Sequence, residues 1–99
     1  MPDPLEVASH VYTKVFENER IRLLQSRLTP GDTTPMHSHP DIVVYNLETG
    51  RLRFHTASGE TEEVELPVGT AWWHDAAEHA TENVGTTVIR SLIFELKAP

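Results

Sequence analysis

Short runs of β-branched, aromatic and aliphatic residues, separated by turns rich in glycine and proline, make up most of the chain. In residues 63–66 acidic and apolar side chains alternate strictly, and in residues 51–54 basic and apolar side chains alternate in the same way. Such alternation is typical of a strand with one buried face and one face in water. Eight strands are predicted in this way, at residues 11–16, 21–28, 42–47, 52–56, 62–66, 70–73, 79–83 and 87–96.

This pattern predicts the fold class. No segment keeps a helical period, and many short strands at this spacing are typical of an all-β sandwich or barrel. Residues 88–94 are apolar on both faces, so we expect this strand to be covered on both sides, on one of them by a partner subunit. A chain of 99 residues corresponds to a single domain over residues 1–99, in which we expect residues 1–9 to form an extended N-terminal arm.

Composition narrows the function. The chain has no cysteine, which excludes disulfides and thiolate metal sites and fits a reducing cytoplasm. Its net charge of −7 disfavours nucleic acid and anionic membranes as partners and suits a protein that acts on a small molecule. No apolar run approaches the roughly 18 residues of a membrane span, and residues 1–4 do not resemble a signal peptide. We therefore predict a cytoplasmic protein and, because so short a chain has a thin core, a homodimer.

Two of the six histidines, His37 and His39, lie two residues apart directly before a predicted strand. In an extended chain such side chains share one face, at a separation of about 7 Å, so both imidazoles can lean toward one metal ion. A third ligand must come from a distant segment. His79, at the start of another predicted strand, is the best candidate, whereas His10 and His55 are expected to be exposed.

The glycines around these histidines match a longer pattern. Gly31, five residues, His37-Ser38-His39 and ten residues before Gly50 resemble the first signature of the cupin superfamily. Pro67-Val68-Gly69 with His79 and Asn83 resembles the second signature. Nine residues separate Gly69 from His79, which is more than in the commonest form of this signature. Residues 16–22 and 94–97 look like small single-domain cupins, some named for β-alanine degradation and others dioxygenase-like. The resemblance implies a double-stranded β-helix, a jelly-roll β-barrel, with metal ligands His37, His39 and His79.

The family's first signature carries a glutamate ligand where this chain has Val43. Three neutral histidines leave coordination positions open, as a catalytic metal site requires. Three-histidine members of the superfamily include dioxygenases that use Fe(II), so the resemblance implies Fe(II) first. Mn(II), Ni(II) and Zn(II) also suit imidazole ligands, and loss of the carboxylate also admits a metal-free cupin as the less favoured alternative. Asp41 could add a further ligand, or its carboxylate could lie in water in a turn after Pro40. His74 could also reach the metal, or it could be a surface histidine.

The substrate pocket is predicted by extending the alternation. If it continues past His39, Val43 and Tyr45 also face inward, and Tyr45 becomes a candidate general acid. The predicted pocket consists of Val43, Tyr45, Trp72, Gln25 and Arg27. The strand at residues 21–28 is mixed on both faces, so Arg22 is the alternative to Gln25 and Arg27. A buried arginine near the metal would favour a carboxylate substrate.

Three functions follow from this site. The first is a three-histidine Fe(II) oxygenase that acts on a small organic substrate. The second is a non-redox isomerase, lyase or hydrolase, in which a divalent metal polarises a carbonyl or activates water. The third is a binding or storage module without catalysis. The sequence contains no glycine-rich phosphate loop and no serine-nucleophile motif, so other classes of site are poorly supported.

Overall fold

A computed structural model describes residues 3–98, which form two antiparallel sheets packed face to face. The elements are α1 (Pro4–Val7), β1 (Tyr12–Glu17), β2 (Ile21–Leu28), β3 (His37–His39), β4 (Ile42–Asn46), β5 (Gly50–Thr56), β6 (Thr61–Leu66), β7 (Ala71–His74), β8 (Ala77–Asn83) and β9 (Ile89–Leu96). The strand orders are β1-β2-β9-β4-β7 and β3-β8-β5-β6. All eight predicted strands are present, and the all-β prediction is confirmed. Within residues 3–98, no helix is long and apolar enough to cross a membrane.

The core lies between the two sheets. Alternate residues of the central strands face inward, and Leu24 of β2 and Ile89 of β9 are fully buried there. Burial of each such side chain contributes roughly 1.5–3 kcal/mol relative to leaving it in water. The other inward-facing apolar residues of the strands include Leu28, Ile42, Val44, Leu52, Leu66 and Ile93.

Strands β3 and β4 belong to different sheets, although only Pro40 and Asp41 separate them. The buried side chains are odd-numbered in β3 and even-numbered in β4. Because the chain crosses from one sheet to the other at this dipeptide, the alternation does not continue through it. The prediction that Val43 and Tyr45 face inward is therefore wrong, and both lie on the outer face of the five-stranded sheet.

The N-terminal segment also differs from the expected extended arm. Residues Pro4–Val7 form the short helix α1, and the Oδ1 atom of Asp3 caps it by accepting a hydrogen bond from the Leu5 N–H at 2.9 Å. Proline suits the first turn of a helix because its missing N–H would have no partner there. The helix lies against β1 and β3, next to the two histidines of β3. Residues 1 and 2 of the predicted arm lie outside the described residues.

The outer faces of the two sheets differ in chemistry. On the four-stranded sheet, Arg53 pairs with Glu63 at 3.3 Å and with Glu82 at 3.5 Å, as expected for a face in water. On the five-stranded sheet, one apolar row crosses all five strands. Cross-strand pairing places its members side by side, in the order Phe16, Leu23, Phe94, Val43 and Trp73. Strand β9 is therefore apolar on both faces, as its sequence indicates.

Asn83 joins the ends of the two sheets. Its side-chain amide donates hydrogen bonds to the carbonyls of Leu28, at 3.0 Å, and Thr87, at 2.8 Å. Its Oδ1 accepts a hydrogen bond from the Gly85 N–H at 3.0 Å, so the buried amide is fully used.

Replacing Asn83 with alanine should destabilise the fold by roughly 2–4 kcal/mol, because it leaves buried backbone groups without partners. Urea denaturation measures this loss. Asn18→Ala is the matched control, since the exposed Asn18 side chain accepts hydrogen bonds only from the nearby Arg20 and Ile21 N–H groups. Equal stabilities of the two variants would contradict a structural role for Asn83.

Candidate metal centre

The three candidate ligands converge because β3 pairs antiparallel with β8. This register places His37 directly opposite His79, and His39 follows two residues along the same face of β3. The ring centroid of His37 lies 4.9 Å from that of His39 and 4.7 Å from that of His79. One ring nitrogen of each histidine lies within 4.8 Å of the others, and all three residues are buried. The structure therefore brings together the three residues that the sequence predicts as ligands.

Hydrogen bonds orient two of these rings. The Nδ1 atom of His37 lies 2.8 Å from the Pro35 carbonyl oxygen, and Nδ1 of His39 lies 2.8 Å from Oε2 of Glu95. A carbonyl or an ionised carboxylate can only accept, so Nδ1 carries the proton in both rings. In a neutral ring of this tautomer the opposite nitrogen, Nε2, carries the lone pair, which is the form that binds a metal ion.

The donor set fits a divalent transition metal. Among the described residues, the Nε2 atoms of His39 and His79 are buried without any hydrogen-bond partner. An unpaired buried nitrogen costs roughly 1–3 kcal/mol, and coordination to a metal would remove this cost. Three buried histidines in this arrangement therefore indicate a divalent-metal site.

The electrostatics keep two of the rings neutral. Burial, followed by the neighbouring His39, lowers the pKa of His79 from 6.5 to about 3. Burial is also the main reason that the pKa of His37 falls to about 4. Both side chains are neutral at pH 7, as metal binding requires.

A chain of charged groups supports His39 from behind. Glu95 on β9 accepts a hydrogen bond from Nε of Arg22 at 2.7 Å, through the oxygen that does not face His39. The other two guanidinium nitrogens of Arg22 donate to the two carboxylate oxygens of Asp3, each at 3.0 Å. Burial alone would raise the pKa of Glu95, but the hydrogen bonds from His39 and Arg22 outweigh it and lower this pKa. Glu95 is therefore an ionised carboxylate that holds a histidine, rather than a member of the three-histidine group.

Tyr12 is a further buried polar group at the centre. Its hydroxyl lies 3.1 Å from Nε2 of His37, and its ring packs edge-on against both histidines of β3. Burial, and to a smaller extent the charge of Glu95, raises the pKa of Tyr12, so the hydroxyl stays protonated. Sequence reasoning missed both Tyr12 and Glu95. Alternation along β9 places Glu95 on the same face as Ile93, whereas Tyr12 begins a strand whose other residues are exposed. Nothing in the sequence shows that either side chain meets the histidines.

A cavity of about 430 Å³ opens beside the histidines at the mouth of the barrel. Trp72, Phe54 and His79 are in its wall, and the Phe54 ring centroid lies 5.4 Å from that of His79. A smaller space of about 50 Å³ continues inward past the same three side chains toward Tyr12 and His39. The candidate site therefore has an opening through which a small molecule can reach it.

Four predicted pocket residues lie elsewhere, and those predictions are wrong. Val43 and Tyr45 face outward from β4, and Tyr45 is 39% exposed, so it is no longer a candidate acid at this centre. Gln25 and Arg27 also face outward, because the inward positions of β2 are the even-numbered ones. Arg22, the predicted alternative, has the inward parity, but it binds Glu95 and Asp3 and does not line the cavity.

The other candidate ligands have different contacts. Asp41 is exposed and accepts a hydrogen bond from the Ala76 N–H at 2.9 Å, which is a turn role. His74 is half-buried in the cavity wall with its ring 6.0 Å from that of His79, outside the three-histidine group. His10 and the partly exposed His55 lie away from the centre, with His10 bound to the Thr33 carbonyl at 2.8 Å.

The fold has well-defined relatives among solved structures. A cupin domain from Bordetella pertussis Tohama I superposes with a TM-score of 0.82 and 30% sequence identity, over 89% of this chain and 93% of that chain. This chain belongs to the cupin family. A scan of protein-family models and a search of curated proteins find no match to the sequence.

Two more distant cupin-like structures share the fold alone. An RmlC-like cupin family protein with a double-stranded β-helix fold, from Methanocaldococcus jannaschii, has a TM-score of 0.69 and 12% identity, over 87% of this cupin and 78% of that chain. A protein from Thermotoga maritima, described as a predicted oxalate decarboxylase, has a TM-score of 0.60 and 22% identity, over 87% and 79%. The jelly-roll barrel predicted from the two signatures is confirmed.

Replacing Glu95 with glutamine should weaken metal binding by about 10- to 100-fold, because a neutral amide no longer matches both the His39 N–H and the Arg22 guanidinium. Competition between the protein and a chromogenic chelator for Zn(II) measures this affinity. Glu63→Gln is the matched control, since Glu63 pairs with Arg53 on the outer face. Equal zinc affinities of the two variants would exclude a supporting role for Glu95.

Metal-free protein should lose stability as the pH falls below 6.5. In the unfolded state His37 and His79 take up protons near pH 6.5. In the folded state His37 takes up its proton only near pH 4 and His79 only near pH 3. The free energy of unfolding should therefore fall by up to about 1.4 kcal/mol per pH unit for each histidine. Urea denaturation at pH 7 and pH 5 tests this. His79→Gln should reduce the loss, His55→Gln should not, and equal stability at both pH values would contradict the prediction.

Proposed function

We propose that this cupin is a metal-dependent enzyme, a three-histidine Fe(II) oxygenase that acts on a small organic substrate. The observation that carries the proposal is the pair of unpaired Nε2 atoms on His39 and His79, which line the small inner space, together with the open cavity that His79 also lines. A closed structural metal site would not need such access.

A cytoplasmic location stays a prediction.

Fe(II) is preferred because the cluster has three histidines and no carboxylate, and the three-histidine cupins that it resembles include dioxygenases that use Fe(II). His37, His39 and His79 would hold the ion, and bound Fe(II) would supply the one-electron chemistry with O₂ that organic molecules lack. Mn(II), Ni(II) and Zn(II) also accept imidazole ligands, so metal analysis must decide between them.

The remaining side chains have roles that their contacts suggest. Glu95 fixes the tautomer of His39 through the 2.8 Å contact described above. Tyr12 takes the role predicted for Tyr45. Its protonated hydroxyl donates to Nε2 of His37 at 3.1 Å, and once that nitrogen holds a metal ion the hydroxyl would be released to donate to a substrate oxygen instead. Phe54 and Trp72 form apolar walls that exclude water from the bound substrate.

A non-redox reaction is the second candidate. One solved structure with this fold is described as a predicted oxalate decarboxylase, and a three-imidazole metal site can also polarise a carbonyl group. A binding module without turnover is the third candidate. The experiment below separates all three.

The test begins with anaerobic purification without added metal, followed by elemental analysis. We expect iron in the wild-type protein, none in His37→Ala or His79→Ala, and wild-type occupancy in His55→Ala, whose side chain lies outside the cluster. The Fe(II)-loaded protein should consume O₂ with a member of a panel of thiols, diketones and flavonols. Tyr12→Phe should keep the metal and lower this rate by about 100-fold or more.

Two results would overturn the oxygenase. Turnover by Zn(II)- or Mn(II)-loaded protein without O₂ would establish the non-redox reaction instead. Tight ligand binding without turnover under any metal would identify a binding module. Full metal occupancy after removal of both His37 and His79 would overturn the assignment of the site itself.

We further propose that the chain forms a homodimer through the apolar row of the five-stranded sheet. Phe16 and Trp73 are 50% and 52% exposed at its two ends, and Tyr45 beside it is 39% exposed. Together these three rings expose on the order of 300 Å², a large part of the roughly 800 Å² that each partner of a stable dimer buries. The opposite sheet, with its outward ion pairs, already has the chemistry of a face in water.

Replacing Tyr45 with lysine should therefore produce a monomer, because it places a charge within the contact, directly beside the apolar row. Sedimentation velocity measures the change in mass. Thr61→Lys adds the same charge to an exposed position of β6 in the other sheet and should leave the dimer intact. A wild-type protein that is monomeric at high micromolar concentration would refute the dimer.

A further inference from the structure

The cavity at the mouth of the barrel has apolar walls next to the three-histidine centre. Its volume of about 430 Å³ is in the range of pockets that enclose small organic molecules. The apolar side chains in the wall are Phe54, Val64, Leu66, Pro67, Trp72 and Ala77, two of which are aromatic. A flat apolar group therefore has two ring surfaces on which to pack.

The charged groups of this wall all have one sign. Glu62, Glu65 and Glu78 border the cavity, whereas no lysine or arginine of the described residues lines it. Glu65 is partly neutralised by Arg51 at 2.6 Å. An organic anion that enters would meet acidic side chains and no lysine or arginine in the wall.

The interior cation that could have bound a carboxylate is already occupied. Arg22 donates one hydrogen bond to Glu95 and two to Asp3. One positive and two negative groups leave this trio with a charge of −1. The expectation that a buried arginine favours a carboxylate substrate therefore does not hold, because the guanidinium serves the support of His39.

We infer that the cavity selects an uncharged, mainly apolar small molecule, with an aromatic or similarly flat group between Phe54 and Trp72 and a neutral hydroxyl or carbonyl oxygen toward the histidines. The inference deepens the proposed function, on which it rests for the position of that oxygen. The selection against anions is a property of the cavity and requires no metal. It excludes small organic acids as ligands of the metal-free protein.

The test uses three probes of the same shape with metal-free protein at neutral pH: para-cresol, para-toluate and para-methylbenzylammonium. Quenching of tryptophan fluorescence gives the affinities, and NMR shifts at Phe54, Trp72 and His79 show where the probe binds. We expect para-cresol to bind at least about tenfold more tightly than para-toluate, a difference of about 1.4 kcal/mol. The cation should also bind more tightly than the anion.

A designed reversal sharpens the test. Val64→Arg places a cation in the cavity wall and should raise the affinity for para-toluate by about tenfold or more. Thr61→Arg, on the same strand but outside the cavity, should leave the order of affinities unchanged. Circular dichroism of both variants checks that the barrel is folded.

Binding of para-toluate to the wild-type protein as tightly as para-cresol would overturn the inference, as would no binding of any probe at millimolar concentration. Zinc titration of the same samples separates this result from the proposed function. If para-cresol binds but zinc does not, the metal enzyme fails and the cavity selection stands. If zinc binds but para-toluate is preferred without metal, the cavity selection alone fails.

Discussion

The antiparallel pairing of β3 with β8 is the constraint on which the candidate centre depends. A register with His37 opposite His79 brings the rings together, and the two-residue period of β3 adds His39 on the same face. A shift of one residue in this register would turn a histidine to the outer face of the sheet. The chemistry of the site therefore depends on backbone hydrogen bonds between two strands, one of which has only three residues.

The sequence predicts the strands and the three histidines well for a physical reason. Both depend on local spacing, namely alternation within a strand and the glycines that close turns. The inward orientation of Val43 and Tyr45 fails because it depends on the sheet to which β4 belongs, and the crossing at Pro40 changes the sheet without a visible break in the pattern. Glu95 and Tyr12 could not be identified for a related reason. Their link to the histidines is made by contacts between residues 25 and 56 positions apart in the chain.

The hydrogen-bonded groups behind His39, namely Asp3, Arg22 and Glu95, explain two departures from the sequence-based expectations. The N-terminal segment is a fixed helix rather than an extended arm, and the buried arginine does not bind a substrate. Asp3 caps α1 and also binds Arg22, so the first helix of the chain is fixed to the interior. Arg22 is withdrawn from any ligand because it holds Glu95 in place. A buried arginine beside a metal centre is therefore ambiguous in sequence. Only its hydrogen-bond partners decide whether it binds a substrate or supports a ligand.

The two faces of strand β9 have different roles, and the residues that serve the two roles are adjacent in sequence. Glu95 faces inward to His39, while the preceding residue, Phe94, lies at the centre of the apolar row on the outside. In the proposed dimer, a contact that displaced Phe94 would also displace the adjacent Glu95, the carboxylate that orients His39. Association of two subunits and occupancy of their centres would then be thermodynamically linked, so that each changes the other by the same factor. In that case, the concentration of the protein would itself be a variable that sets the metal affinity.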